Sequence, residues 1–148
     1  MENKFENIEK KIKELGFRIN SKDFNRPWGG FLVIDETQSN KFIEYFFKNL
    51  DMNLITKGLK LSPKILIVKP LSRLSWQYHF RRSEIWKVFE GEVAVVRSDN
   101  DNEQPKNIFS KGSLITLKQG ERHRLIGLND FGVIAEIWQH TDENNPSC

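Results

Sequence analysis

The chain has 148 residues, a formal charge of +3, 38% hydrophobic residues with eleven Phe and four Trp, and a single cysteine. That length and apolar content match one globular domain with a real core and exclude a disordered chain. Basic and acidic residues are mixed, so there is no broad nucleic-acid footprint; Cys148 alone excludes a disulfide framework and a thiolate metal site.

The first segment, 4–15, spaces Phe5, Ile8, Ile12 and Leu15 by three and four residues and is followed by Gly16, which predicts an amphipathic helix. Its charge makes it neither a signal peptide nor a membrane span, so no membrane partner is expected and the location is read as cytoplasmic. Arg26-Pro27-Trp28-Gly29-Gly30 predicts a turn with an aromatic anchor, followed by a short strand over 31–34. Residues 40–50 predict a second helix, capped by Ser39 or Asn40, with Phe42, Ile43, Phe46, Phe47 and Leu50 on its apolar face. From residue 64 the pattern turns to strands at 64–69, 73–80, 84–89, 92–98, 113–117, 122–127 and 131–138, punctuated by Gly91, Gly112, Gly120 and Gly127. Residues 98–107 read as an exposed loop. Antiparallel strands of this length without a βαβ rhythm predict an all-β barrel or double-sheet sandwich. No glycine-rich phosphate loop is present.

Four residues carry metal-ligand chemistry: Gln77, His79, Glu84 and His123. Residues two apart on a strand share a face, so Gln77 and His79 point together, and a hairpin brings Glu84 beside them. His123 must come from a distant strand. Two imidazoles, a carboxylate and an amide oxygen suit a divalent cation: zinc first, with iron, manganese, cobalt or nickel as alternatives. Spacing alone leaves a second reading open. In it, Gln77 is a surface amide, His79 a half-buried strand residue, Glu84 a partner for Arg81 or Arg82, and His123 part of an exposed turn.

The order Gln77-Tyr78-His79, Glu84 and Gly91 resembles the first motif of the cupin superfamily, and Gly112, Gly120 and His123 resemble the second. Gln77 stands where most cupins have His, which looks like the mannose-6-phosphate isomerase branch. RPWG at 26–29, IVKP at 67–70, RLSWQYH at 73–79, SEIWKVFEGEVAV at 83–95 and GERHRL at 120–125 are similar to the cupin domain of bifunctional mannose-6-phosphate isomerase/mannose-1-phosphate guanylyltransferases. The resemblance covers residues 26 to about 138. It implies a cupin (jelly-roll) β-barrel over 26–148, including the helix near 40–50, with residues 1–25 as a helix and arm packed on it. This chain departs from the family pattern at Phe80, Arg81, Ile85 and Lys118.

The resemblance implies a metal-dependent sugar-phosphate isomerase that interconverts an aldose and a ketose through an enediol. Glu121 and Lys87 are the candidate proton-transfer residues. Arg26 and Arg81 are the candidate phosphate donors, and Trp86, which shares the parity of Glu84, is the candidate sugar contact. The partners expected are a phosphorylated sugar and a second copy of the chain in a homodimer. The competing readings are a non-catalytic cupin that binds a sugar or other metabolite, a different metal enzyme such as an oxygenase, and a purely structural barrel.

Overall fold

A computed structural model describes residues 3–48, 50, 60–76, 82–100, 102, 104–118 and 120–140. Helix α1 (Lys4–Glu14) opens the chain, with the Asn3 side chain accepting from the Phe5 amide. Strands β1 (Ile19–Arg26) and β2 (Gly29–Ile34) follow, then a 3-10 turn at Glu36–Gln38 and helix α2 (Ser39–Phe46). Seven more strands complete the fold: β3 (Leu61–Val68), β4 (Arg82–Glu90), β5 (Glu92–Ser98), β6 (Asn107–Ser110), β7 (Leu114–Leu117), β8 (Arg122–Gly127) and β9 (Gly132–His140).

They form two antiparallel sheets, one of six strands in the order β1-β2-β3-β9-β4-β7 and one of three in the order β6-β5-β8. Strand alternation gives the large sheet two different faces. Leu32, Ile34, Ile65, Ile67, Ile85, Val133, Ala135 and Ile137 share a core with Phe5, Ile8 and Ile12 of α1 and Phe42, Ile43 and Phe46 of α2. Leu66, Val68, Trp86, Val88, Ile115, Leu117 and Ile134 face the small sheet and pack with its Val93, Val95 and Leu125. The second core is the barrel interior.

Two strands depart from the sequence expectation. β1, with sequence INSKDFNR, lacks apolar alternation because it pairs only with β2 at the sheet edge and lies largely exposed. β6 is a four-residue edge strand at the end of the expected loop 98–107. Of the expected strand 73–80, the described part, 73–76, forms a bridge between Arg73 and Ile126, with the Leu74 amide donating to the Leu125 carbonyl; residues 77–80 lie outside the described residues. The expected turn at 26–30 is there, and close approach demands its glycines. A Cβ on Gly29 would lie 1.9 Å from the Ile67 carbonyl oxygen, and one on Gly30 2.5 Å from that of Asp23.

Charged contacts tie α1 to the barrel. Lys4 and Lys11 both reach the Glu90 carboxylate on β4, and Lys22 of β1 donates to both oxygens of Glu9 at 2.9 Å. Burial pushes the Glu90 carboxyl up, but the hydrogen bonds from Lys11 and Lys4 outweigh it and hold the group below the ordinary glutamate range. The hydrogen bonds from Lys22 do the same for Glu9; burial opposes them and Lys13 adds to them.

A carboxyl whose pKa is lowered on folding contributes stability above its unfolded pKa, and that contribution disappears as pH falls through the folded value. The urea midpoint is therefore expected to drop between about pH 7 and about pH 3. The double variant Glu9→Gln/Glu90→Gln should be less stable at neutral pH and show a smaller acid-induced drop, measured by urea titration at both pH values.

Candidate active site in the barrel interior

The register of three neighbouring strands builds the site. Glu84 and Trp86 of β4 pair with Trp138 and Glu136 of β9, and Glu136 pairs in turn with Lys64 of β3. Parity puts all five side chains on the inner face of the large sheet. Together with Arg26, Trp28, Phe31, Leu66 and Leu74 they line a cavity of about 280 Å³. That is near the lower end of the ~300–1,000 Å³ usual for small-molecule sites.

His123 reaches this region from the other sheet. On β8 it alternates with Arg122 and Arg124 and pairs across the strand with Arg97. Its Nε2 lies 3.5 Å from Glu84 Oε2, and both side chains are buried. Its Nδ1 lies 3.4 Å from the Glu121 carbonyl oxygen, and its ring meets the Trp86 indole edge-on with centroids 5.5 Å apart. Closure of the barrel thus joins two residues 39 positions apart, as the ligand reading requires. Gln77, His79 and Arg81 lie outside the described residues.

The remaining sequence candidates divide. Trp86 lines the cavity as expected, and its Nε1–H donates to Glu136 Oε1 at 2.9 Å. Arg26 also lines it, half-exposed, with its Nε 3.1 Å from Asp23 Oδ2 and its guanidinium over the Phe31 ring.

Glu121 and Lys87 do not line it. The Glu121 carboxylate accepts from Arg97 Nη2 at 3.3 Å and from the Lys118 amide at 3.1 Å, while Arg97 also donates to the Thr116 carbonyl at 2.8 Å. Glu121 is thereby part of a clip between β5 and the β7–β8 connection. Lys87 pairs with Ala135 and, being odd where Glu84 and Trp86 are even, sits on the face turned toward the helices.

Sequence reasoning passed over Glu136 and Lys64. The Lys64 ammonium lies 3.7 Å from the centroid of the Trp138 ring and 5.5 Å from that of Phe31. The available signal was a carboxylate inside the apolar run VIAEIW, where burial needs a partner. Three of the four tryptophans, Trp28, Trp86 and Trp138, line the cavity. Trp76 instead packs on the outer side of the small sheet with Ala94, Val96 and Ile126.

The family model described as mannose-6-phosphate isomerase C-terminal matches residues 49–134, more than half of the chain and the span that carries Glu84 and His123. The chain belongs to the mannose-6-phosphate isomerase C-terminal family. Its barrel is a cupin fold, as the motif resemblance implied. Among curated proteins no sequence matches the chain.

Solved structures agree on the architecture. KdgF from Halomonas sp. superposes with a TM-score of 0.59 at 13% identity, over 87% of this chain and 96% of that one. Vicilin from hazelnut, Corylus avellana, gives a TM-score of 0.62 at 13% identity, over 90% of this chain and 36% of the vicilin. A protein from Bacillus halodurans gives 0.52 at 16% identity, over 58% of this chain. The chain spans 65% of the Bacillus halodurans protein's length. At these identities the likeness is one of fold. Cupin domains of the mannose-6-phosphate isomerase type usually bind a divalent metal.

Replacing Trp86 by Phe removes the donor that Glu136 accepts inside the barrel. A lost hydrogen bond to a charged group predicts a destabilisation of about 1.5–3 kcal/mol, read from the urea unfolding free energy at neutral pH.

Proposed function

We propose that this protein is a metal-dependent sugar-phosphate isomerase that interconverts an aldose and a ketose phosphate, as mannose-6-phosphate isomerase does. One observation carries the reading: in a chain of that family, Glu84 and His123 come within 3.5 Å of each other beside a sugar-sized cavity.

The donor chemistry fits a divalent cation. A buried carboxylate and a buried imidazole converge from different sheets, and the second ring nitrogen of His123 faces a backbone carbonyl, the outer partner that metal-ligating histidines usually have. Glu84 and His123 would hold the ion with Gln77 and His79; zinc is the first choice, and iron, manganese, cobalt or nickel suit the same donors. When bound, such an ion draws electron density from substrate oxygens and stabilises the negative charge of an enediol.

The chain's own residues supply the rest. Trp86, Trp138 and Phe31 form walls that pack against the sugar and exclude water. Arg26 and Lys64 place two cations on the cavity lining, where they attract and orient the phosphate, with Arg81 as a third donor in this reading. A sugar-phosphate substrate goes with a cytoplasmic setting, and no helix among the described residues is long and apolar enough to cross a membrane. Pairing of two copies belongs to the same proposal, since both sheets end in edge strands that a second copy can cover.

Zinc-loaded protein is expected to interconvert mannose 6-phosphate and fructose 6-phosphate, followed by a coupled assay, and to lose turnover on chelation. Glu84→Gln and His123→Ala should each weaken zinc binding by about 10-fold or more, measured by competition with a chromogenic chelator. Metal-loaded protein that binds the sugar phosphate without turnover would establish the non-catalytic reading instead.

A further inference from the structure

Isomerisation needs a group that carries a proton between two carbons, and neither Glu121 nor Lys87 lines the cavity. Among the described residues lining it, the ionisable side chains are Arg26, Lys64, Glu84 and Glu136. Arginine stays protonated in proteins and makes no base. Lys64 Nζ lies over the Trp138 ring, where the isomerase reading uses it to hold the phosphate. Glu84 belongs with His123.

Glu136 differs from all three. Its carboxylate is buried on the inner face of β9, between Ile134 and Trp138, and one oxygen accepts from Trp86 Nε1 at 2.9 Å. That bond comes from a rigid indole, itself fixed edge-on against His123, so the carboxylate is oriented rather than left to rotate. The opposite position on β3 is Lys64, and the diagonal neighbour on β4 is Glu84. In antiparallel sheets such diagonal neighbours are roughly 7–8 Å apart. That spacing leaves room for a sugar carbon between Glu136 and the oxygens held at Glu84.

We infer that Glu136 is the proton-transfer residue of this site and that Trp86 is its positioning residue. The inference rests on the isomerase reading and deepens it. The Glu136 carboxylate takes the proton from C2 of the open-chain aldose phosphate. The electrons of that C–H bond form the C1–C2 double bond, and the carbonyl pair moves onto O1. A proton passes from O2 to O1, Glu136 returns its proton to C1, and the O2 electrons close the ketose carbonyl at C2. No atom or electron is gained or lost. This assigns a role to a side chain that lies just beyond the family match ending at residue 134.

The test uses the full chain loaded with zinc and mannose 6-phosphate in deuterated water, with deuterium at C2 followed by NMR. Wild-type protein should exchange. Glu136→Gln should slow exchange and turnover by about 10²–10⁴-fold, with zinc content and the substrate-induced rise in Tm retained. Glu136→Asp, which keeps the carboxylate, should recover part of the exchange and lower kcat more than it changes KM. A Glu136→Gln protein that exchanges within about threefold of wild type, well short of a general-base loss, overturns the assignment and leaves the isomerase reading intact. If Glu136→Gln does not fold, an unchanged kcat in Glu136→Asp overturns it in the same way. Wild-type protein that binds zinc but neither exchanges deuterium nor forms fructose 6-phosphate overturns both.

Discussion

Two carboxylates, Glu84 and Glu136, are buried on the inner face of adjacent strands in the large sheet. Removing a carboxylate from water without partners costs several kcal/mol, so the barrel must supply a partner to each. Glu84 is met by His123 from the opposite sheet, and Glu136 by the indole N–H of Trp86 from the next strand. Because Trp86 also touches the His123 ring, the two acids share one connected cluster. The cavity lies beside this cluster, on the inner face of the large sheet.

Strand parity protects the arrangement. The large sheet buries aliphatic side chains against α1 and α2 on one face, so a one-residue slip of β4 or β9 would drive Glu84 or Glu136 into the phenylalanine-rich helix layer. The helices thus fix register from behind as well as covering the sheet. On the other side, Arg97 bridges to Thr116 and Glu121 and holds the connection that leads into His123. Glu121 matters for the site through this bracing. The family pattern around it therefore speaks to the hairpin's shape as much as to chemistry.

The family match and the fold likeness carry different weights. The match over 49–134 ties the central strands and the Glu84–His123 pair to the mannose-6-phosphate isomerase C-terminal family. KdgF and vicilin share the architecture at 13% identity, which attests to the barrel and leaves the chemistry to the side chains inside it. In this chain those side chains are aromatic and mixed in charge: three tryptophans, two acids and two cations around a small volume.

Much of this was legible in the sequence. Apolar periodicity located both helices and most of the central strands, because burial on one face writes a period of 3.6 or 2 into the residues themselves. Strands β1 and β6 left no such mark, since edge strands pair on one side and stay wet. Parity placed Trp86 with Glu84 and suggested the ligand set. Glu136 stayed hidden among apolar neighbours, because a lone acid in a strand shows its role only when its cross-strand partners are known. The same lack of register let Lys87 and Glu121 pass as candidates: one points to the helices and the other is bound to Arg97. Residue types and their periods are local and were determined by the sequence alone. The meeting of Glu84 with His123, and of Trp86 with Glu136, depends on how distant strands align, and only closure of the two sheets decides that.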